Sequence, residues 1–221
     1  MVETDDMAHR LQVMEQENRT LRQQVEKLQT ENRRWARLAG TDLLTGLPNK
    51  ISFLKAIVPH SLRQAAQHAH TMGFMLLSAD DLGSINETHG RAAGDEVLKG
   101  LGSFLKSILD QTDHLGHMDG SHFSVVSMPA DINDMHARAN MLRARVRAHA
   151  FPCGQTSAHM TISAGIAALK PPAHVDEKQM IDLVYQQLNS ALYTAKTSGG
   201  NQVQAIGDLS TDSLSRKEAS L

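Results

Sequence analysis

Cysteine is almost absent from this 221-residue chain. Cys153 is the single one, so no internal disulfide framework can form, and a reducing compartment is expected. An excess of either charge is lacking too: 22 Lys plus Arg stand against 24 Asp plus Glu, a net −2. Such a balance favours no binding to nucleic acid, polyanions or a membrane surface. No apolar run approaches the roughly 18 residues of a membrane span, and the acidic opening MVETDD has no basic start of a secretory signal. A cytoplasmic protein is expected. No Ser/His/Asp or Cys/His constellation with supporting context is present, which leaves hydrolase chemistry without a candidate. What is present is 41% hydrophobic residues, enough for a buried core, in a length that suits one domain of roughly 100 to 200 residues and an accessory segment.

Residues 7–39 supply that segment. Apolar positions recur at spacings of four and three, the heptad signature, after a disordered start at residues 1–6. The d positions are Met7, Met14, Leu21, Leu28 and Trp35, and the a positions are Leu11, Asn18, Val25, Asn32 and Ala39. A buried Asn pairs best with its symmetry mate, so two of them at a positions favour a parallel, in-register dimer. Flanking charges agree, since Arg10 can meet Glu15 of the partner and Glu17 can meet Arg22. A solvated single helix is the alternative. A DNA-binding zipper would need a basic stretch upstream, where the sequence is VETDD.

The remainder alternates helices and strands. Helical periodicity is expected from about 51 to 70, over 92–109, over 133–149 and over 176–200, with Val97, Leu98, Leu101, Phe104, Leu105 and Ile108 on one core stripe. GFMLLSAD (73–80) reads as a buried strand opening onto a site at its C-terminal end, and HMTISAGIAAL (159–169) as another strand. Residues 113–118 and 122–128 read as a hairpin joined through Asp119, Gly120 and Ser121, on the Asp-Gly turn signal. NQVQAI is an edge strand, and 207–221 a disordered tail. The fold class is α/β, a mostly antiparallel central sheet flanked by helices and preceded by the long coiled-coil helix.

Four blocks then carry a resemblance over about residues 41–206. TDLLTGLPNK resembles the DxLTGLxNR opening of GGDEF domains, the diguanylate cyclases that condense two GTP into cyclic di-GMP. NETHGRAAGDEVL resembles their NDxxGHxxGDxxL segment, ALYTAKTSGGN their ALYxAKxxGRN, and TISAGIA is the fourth block in family order. The resemblance implies the palm-like sheet shared with nucleotide cyclases and polymerases.

It also implies metal ions, because joining a 3′-hydroxyl to an α-phosphate requires Mg²⁺ held by carboxylates. The register set by Asn86 places Ser78 at the first Asp of the family's DxD. The signature itself reads Asp119, Gly120, Ser121, His122, Phe123, so its metal acid is Ser121. Both metal carboxylates are thus hydroxyls. The phosphate-binding Lys falls on Gly83 and the Arg of GRN on Gly200, while Lys196 is kept; Asp119 adds a negative charge that should repel a triphosphate. Asn86 and Asp95 match the guanine-reading positions. Either could instead serve as a turn cap or stand at a helix N-terminus. The family's inhibitory RxxD falls on Asp110 and Asp113, which argues against cyclic di-GMP there.

His114, His117 and His122 surround the hairpin. His117 and His122 could approach across it and suit Zn²⁺ or Ni²⁺, or be unremarkable surface residues. Arg143, Arg145 and Arg147 read as a solvated face, or else a docking patch. The sequence therefore leads to the expectation of a chain that is no enzyme: a degenerate GGDEF domain with no metal ligand and no cofactor, dimeric through Leu11, Met14, Asn18, Leu21, Val25, Leu28, Asn32 and Trp35, acting on an unidentified protein partner. The alternatives are a sensor that binds GTP weakly without turnover and, more remotely, a residual cyclase.

Overall fold

The computed structural model describes residues 14, 16–28, 31, 39–172 and 176–206, in two compact units divided after Gly40. In the first unit, residues 16–28 form a helix, α1. Along it the seam residues Met14, Leu21, Val25 and Leu28 are 66, 60, 52 and 60% exposed in the single chain, which leaves their apolar area without cover from the chain itself. Arg22 Nε donates to Asn18 Oδ1 at 3.0 Å. Met7, Leu11, Asn32 and Trp35, the Arg10 and Glu15 charges, the start at 1–6 and the tail at 207–221 lie outside the described residues.

The second unit opens with a tight turn. Asp42 Oδ1 accepts from the Thr45 amide and the Thr45 hydroxyl, both at 2.8 Å. A continuous helical stretch follows (α2), built of Lys50–Ser52, a π turn at Phe53–Ile57 and Val58–His68, started by Asn49, whose side chain accepts from the Ser52 amide. Then come β1 (Met72–Ala79), α3 (Leu82–His89), α4 (Arg91–Ile108), β2 (His114–Asp119) and β3 (His122–Ser127). The chain continues with α5 (Ile132–Ala148), β4 (Phe151–Cys153), β5 (Thr156–Ala158), β6 (Ile162–Leu169), α6 (Glu177–Thr197) and β7 (Val203–Ala205). The main sheet has the order β2-β3-β1-β6-β7. Every pairing in it is antiparallel except β6 with β7.

Alternation along β1 divides the core in two. Met75, Leu77 and Ala79 join Phe123, Val125 and Ile162 beneath α4 and α5, whose Val97, Leu101, Met135 and Leu142 complete that layer. Phe74 and Leu76 point the other way, to Phe53 and Leu62 of α2 and to Val184 and Leu188 of α6. Each such side chain taken fully out of water contributes about 1.5–3 kcal/mol. The stripe expected on α4 is present: Val97, Leu98, Leu101 and Leu105 are buried, with Phe104 and Ile108 packed at its edge. The expected strands and longer helices occur within a few residues of their positions. Two features are additional: α3, which buries none of its residues, and the separate β4–β5 hairpin.

Candidate functional site

The ends of β1 and of the β2–β3 hairpin meet at one place. Ser78 pairs with His122 across the sheet, the Ala79 amide donates to Ser121 O at 3.0 Å, and Ser78 Oγ lies 2.9 Å from Ser121 Oγ. The two hydroxyls that the resemblance sets at the family's metal positions therefore satisfy each other, with Ser78 fully buried. Asp80, the remaining acid of the strand end, is committed elsewhere. It accepts from Thr161 Oγ1 at 2.7 Å, Ser163 Oγ at 2.9 Å and the Asn201 amide at 2.9 Å. This donor set does not fit Mg²⁺, which takes hard anionic oxygen ligands in octahedral array. Among the described residues no group of three or more His, Cys, Asp or Glu gathers in a metal-holding arrangement.

Several expectations change at this turn. Asp119 is not a bare charge: its carboxylate is 2.9 Å from Lys50 Nζ and 3.2 Å from His122 Nδ1. The Lys50 hydrogen bond, outweighing burial, holds the Asp119 carboxyl below its usual value. His117 and His122 do not converge on a common point. His117 lies opposite Phe123 in the ladder and stacks on its ring, centroids 4.7 Å apart, while His122 turns to Asp119. His117 Nδ1 is instead 2.8 Å from Asp42 Oδ1, without the alignment of a hydrogen bond, and Nε2 is 3.0 Å from Gly120 O. Exposed His114 borders the same cavity as Asp113.

Asn86 and Asp95 come together where α3 meets α4. The Asn86 amide rests directly on Gly94, and any Cβ at that position would collide with Asn86 Oδ1. Neither residue caps a helix, the N-cap positions being Asp81 for α3 and Gly90 for α4, both without a side-chain cap, although Asp95 does stand near the N-terminus of α4. The half-buried Asn86 amide and the exposed Asp95 carboxylate are engaged in no hydrogen bond or ion pair among the described residues. They remain available to a purine edge, an amide and an acid being the groups that pair with its donors and acceptors. Lys196 is exposed in the last turn of α6. The turn after it brings Gly200, φ 69°, against the Asp80 carboxylate, where a Cβ would sit 3.4 Å from Cγ.

Two arginines have roles the sequence did not disclose. Arg143 is not simply solvated, since Nη1 donates to Asn201 O at 3.3 Å and to Asn201 Oδ1 at 3.1 Å; Arg145 and Arg147 are exposed. Arg138 of α5 lies between Asp110 and Asp113, with Nη1 2.8 Å from Oδ2 of each. A guanidinium from α5 thus reaches the turn between α4 and β2. Beside it is a cavity of about 410 Å³ bordered by Lys106, Asp110, Asp113 and His114. Among the described residues no helix is long and apolar enough to cross a membrane.

Comparison with known proteins bears on this geometry. The family model described as "Diguanylate cyclase, GGDEF domain" matches residues 39–202. Cyclic di-GMP phosphodiesterase PdeR of Escherichia coli is 28% identical over 165 residues, 75% of this chain and 24% of that protein. Diguanylate cyclase DgcP of Pseudomonas aeruginosa is 28% identical over 203 residues, 90% of this chain and 29% of that one. The chain thus spans 24% and 29% of the length of these two relatives. Among solved structures, the coiled coil and GGDEF domain of DgcB from Caulobacter crescentus in complex with c-di-GMP superimposes with TM-score 0.72 at 23% identity, covering 83% of this chain and 94% of that one. Diguanylate cyclase SiaD in complex with its activator SiaC, from Pseudomonas aeruginosa, gives TM-score 0.69 at 21% identity over 92% of this chain and 75% of that one.

These findings correct the expectation that the chain is no enzyme. The family it matches is one of diguanylate cyclases, and relatives matching most of its length bear that name. The serines at 78 and 121 bear on how a metal would be held and are no positive sign of inactivity. From the paired strand ends, the four motif blocks and the match over residues 39–202, the chain belongs to the diguanylate cyclase GGDEF domain family.

Proposed function

We propose that this protein is a dimeric signalling module of the GGDEF family that holds a guanine nucleotide between Asn86 and Asp95 and delivers its output to a protein partner. The observation that carries the reading is the pair of unengaged side chains at the α3–α4 junction, fixed by the contact of Asn86 with Gly94. A core residue would gain from burying or pairing such groups; a binding residue must leave them free. Lys196 supplies a cation for phosphate, without the help of a Lys at Gly83 or an Arg at Gly200, so GTP is bound weakly. Dimerisation through the seam of residues 7–39 is supported by the 52 to 66% exposure of its described apolar positions. The Arg138 clasp on Asp110 and Asp113 supports the absence of cyclic di-GMP there, because both carboxylates are already paired. A cytoplasmic location agrees with the single, buried Cys153 thiol.

A second reading, condensation of GTP to cyclic di-GMP, is favoured by the cyclases among the relatives. One experiment separates the two: calorimetric titration with GTP and Mg²⁺, followed by chromatography of the mixture for cyclic di-GMP. Saturable binding that weakens about tenfold or more in Asn86→Ala and Asp95→Ala supports the sensor. Product formation supports the cyclase, and unaltered binding in both variants removes the guanine site assigned here.

A further inference from the structure

Helix α4 opens on a cation. Arg91, its first residue, is exposed, the first turn contains no acid, and the N-cap Gly90 has no side chain to close it. A positive charge at that end is repelled by the partial positive charge of the helix N-terminus, so the fold gains nothing from it. Pairing does not compensate. Asp95 follows at i+4, a spacing that brings two Cβ atoms within about 6 Å, yet Arg91 enters no ion pair or hydrogen bond among the described residues. At about 100° per residue, Arg91 projects between Gly94, on which the Asn86 amide rests, and Asp95, about 60° from the first and about 40° from the second. Helical side chains lean toward the N-terminus, which inclines the Asp95 carboxylate toward the turn that carries Arg91. An amide, an acid and a guanidinium, all unengaged, thus share the α3–α4 junction. Arg91 stands where the family pattern NDxxGHxxGDxxL carries His, so the guanidinium fork belongs to this chain.

We propose that Arg91 is a further guanine-binding residue, whose guanidinium donates to O6 and N7 of a base held by Asn86 and Asp95. The inference rests on the guanine site proposed above and adds recognition of the base's second edge. Guanine offers N1–H and N2–H donors, which suit the Asp95 carboxylate, and beside them the acceptors O6 and N7. A guanidinium carries donors only, and its planar fork matches O6 and N7 as a pair, which a point-charge ammonium does not. The phosphates are left to Lys196, on a different helix.

The test is calorimetric titration of the full chain with GTP and with 7-deaza-GTP, which lacks the N7 acceptor, in wild type, Arg91→Ala and Asn86→Ala. Wild type is expected to bind GTP about fivefold or more tightly than 7-deaza-GTP, the effect of one hydrogen bond to the base. Arg91→Ala is expected to bind both with the same reduced affinity while circular dichroism stays native. The proposal is overturned if wild type binds the two nucleotides alike, if Arg91→Ala keeps the preference for GTP, which would place the guanidinium on the phosphates, or if Arg91→Ala binds GTP as wild type does. In that last case a loss of affinity in Asn86→Ala leaves the guanine site standing and removes Arg91 alone. A wild type that binds no GTP removes both.

Discussion

Ser78 Oγ and Ser121 Oγ face each other at 2.9 Å across the strand end and the signature turn. Placing carboxylates there through Ser78→Asp and Ser121→Glu crowds two like charges at a buried position, an arrangement that destabilises unless a cation intervenes. The double variant is expected to melt several degrees below wild type in chelator and to recover with Mg²⁺, whereas wild type melts at the same temperature in both. Differential scanning calorimetry reads this. Equal Mg²⁺ stabilisation of wild type would show that the hydroxyl pair holds the ion after all.

Asp80 accepts from Thr161, Ser163 and Asn201, three donors on two separate stretches of chain. Asp80→Ala leaves the two hydroxyls and one amide without their acceptor. Charge-assisted bonds of this kind contribute about 1.5–3 kcal/mol each and are not additive, so a loss of about 3 kcal/mol or more in urea unfolding is expected. A loss below about 1 kcal/mol would mean that the turn at Asn201 is held by other means.

The Asp42 carboxyl lies below its ordinary value of 3.8: burial would raise it, but the Thr45 amide, His117 and the Thr45 hydroxyl together outweigh burial. A depressed carboxyl contributes stability that is present above the unfolded pKa and lost as pH falls through the folded one. The stability gap between wild type and Asp42→Asn should therefore be full near neutral pH and close as pH drops below about 4. Denaturant melts at stepped pH measure the gap; one that widens in acid would contradict the assignment.

Burial pushes the Tyr185 hydroxyl up, against the smaller opposing effect of its 2.7 Å hydrogen bond with Ser124 Oγ. Phenolate absorbance of the folded protein should thus show the same alkaline step in wild type and in Tyr185→Phe. The variant should lose about 0.5–1.5 kcal/mol of stability for the missing bond. A step that shrinks by half in the variant would place Tyr185 in contact with solvent.

Leu21 and Leu28, each 60% exposed in the single chain, are expected to be covered by a second copy. Leu21→Glu with Leu28→Glu should convert a sedimenting dimer to a monomer while leaving the amide spectrum of residues 41–206 intact. A wild-type monomer at tens of micromolar would remove the coiled-coil dimer.

The sheet and long helices were legible because their signals are local. The short apolar run at Met72–Ala79 records a strand buried on both faces, and the stripe from Val97 to Leu105 a helix buried on one. Helix α3 was not legible, since LGSINETH buries nothing and has little amphipathic pattern. The three-residue strands β4 and β5 are too short for periodicity to register. At the site, Ser78 and Ser121 could be placed by motif, but their partners could not. Lys50 meets Asp119 across 69 residues, and Arg138 reaches Asp113 across 25. Contacts of that range depend on how α2 and α5 dock, which no window of sequence encodes. The scattered histidines misled for the same reason: His117 is defined by Asp42, far upstream in the chain.

Asp80 has a wider consequence. Its oxygens fasten β1 to β6 and to the turn that follows α6, and Arg143 grips that turn from the other side through Asn201. A carboxylate so employed cannot be lent to an incoming cation without unlacing the corner it secures. Any metal-dependent chemistry engineered at this strand end would therefore have to begin with the serines, and Asp80 acts as the hinge-pin of the architecture, not as a reagent held in reserve.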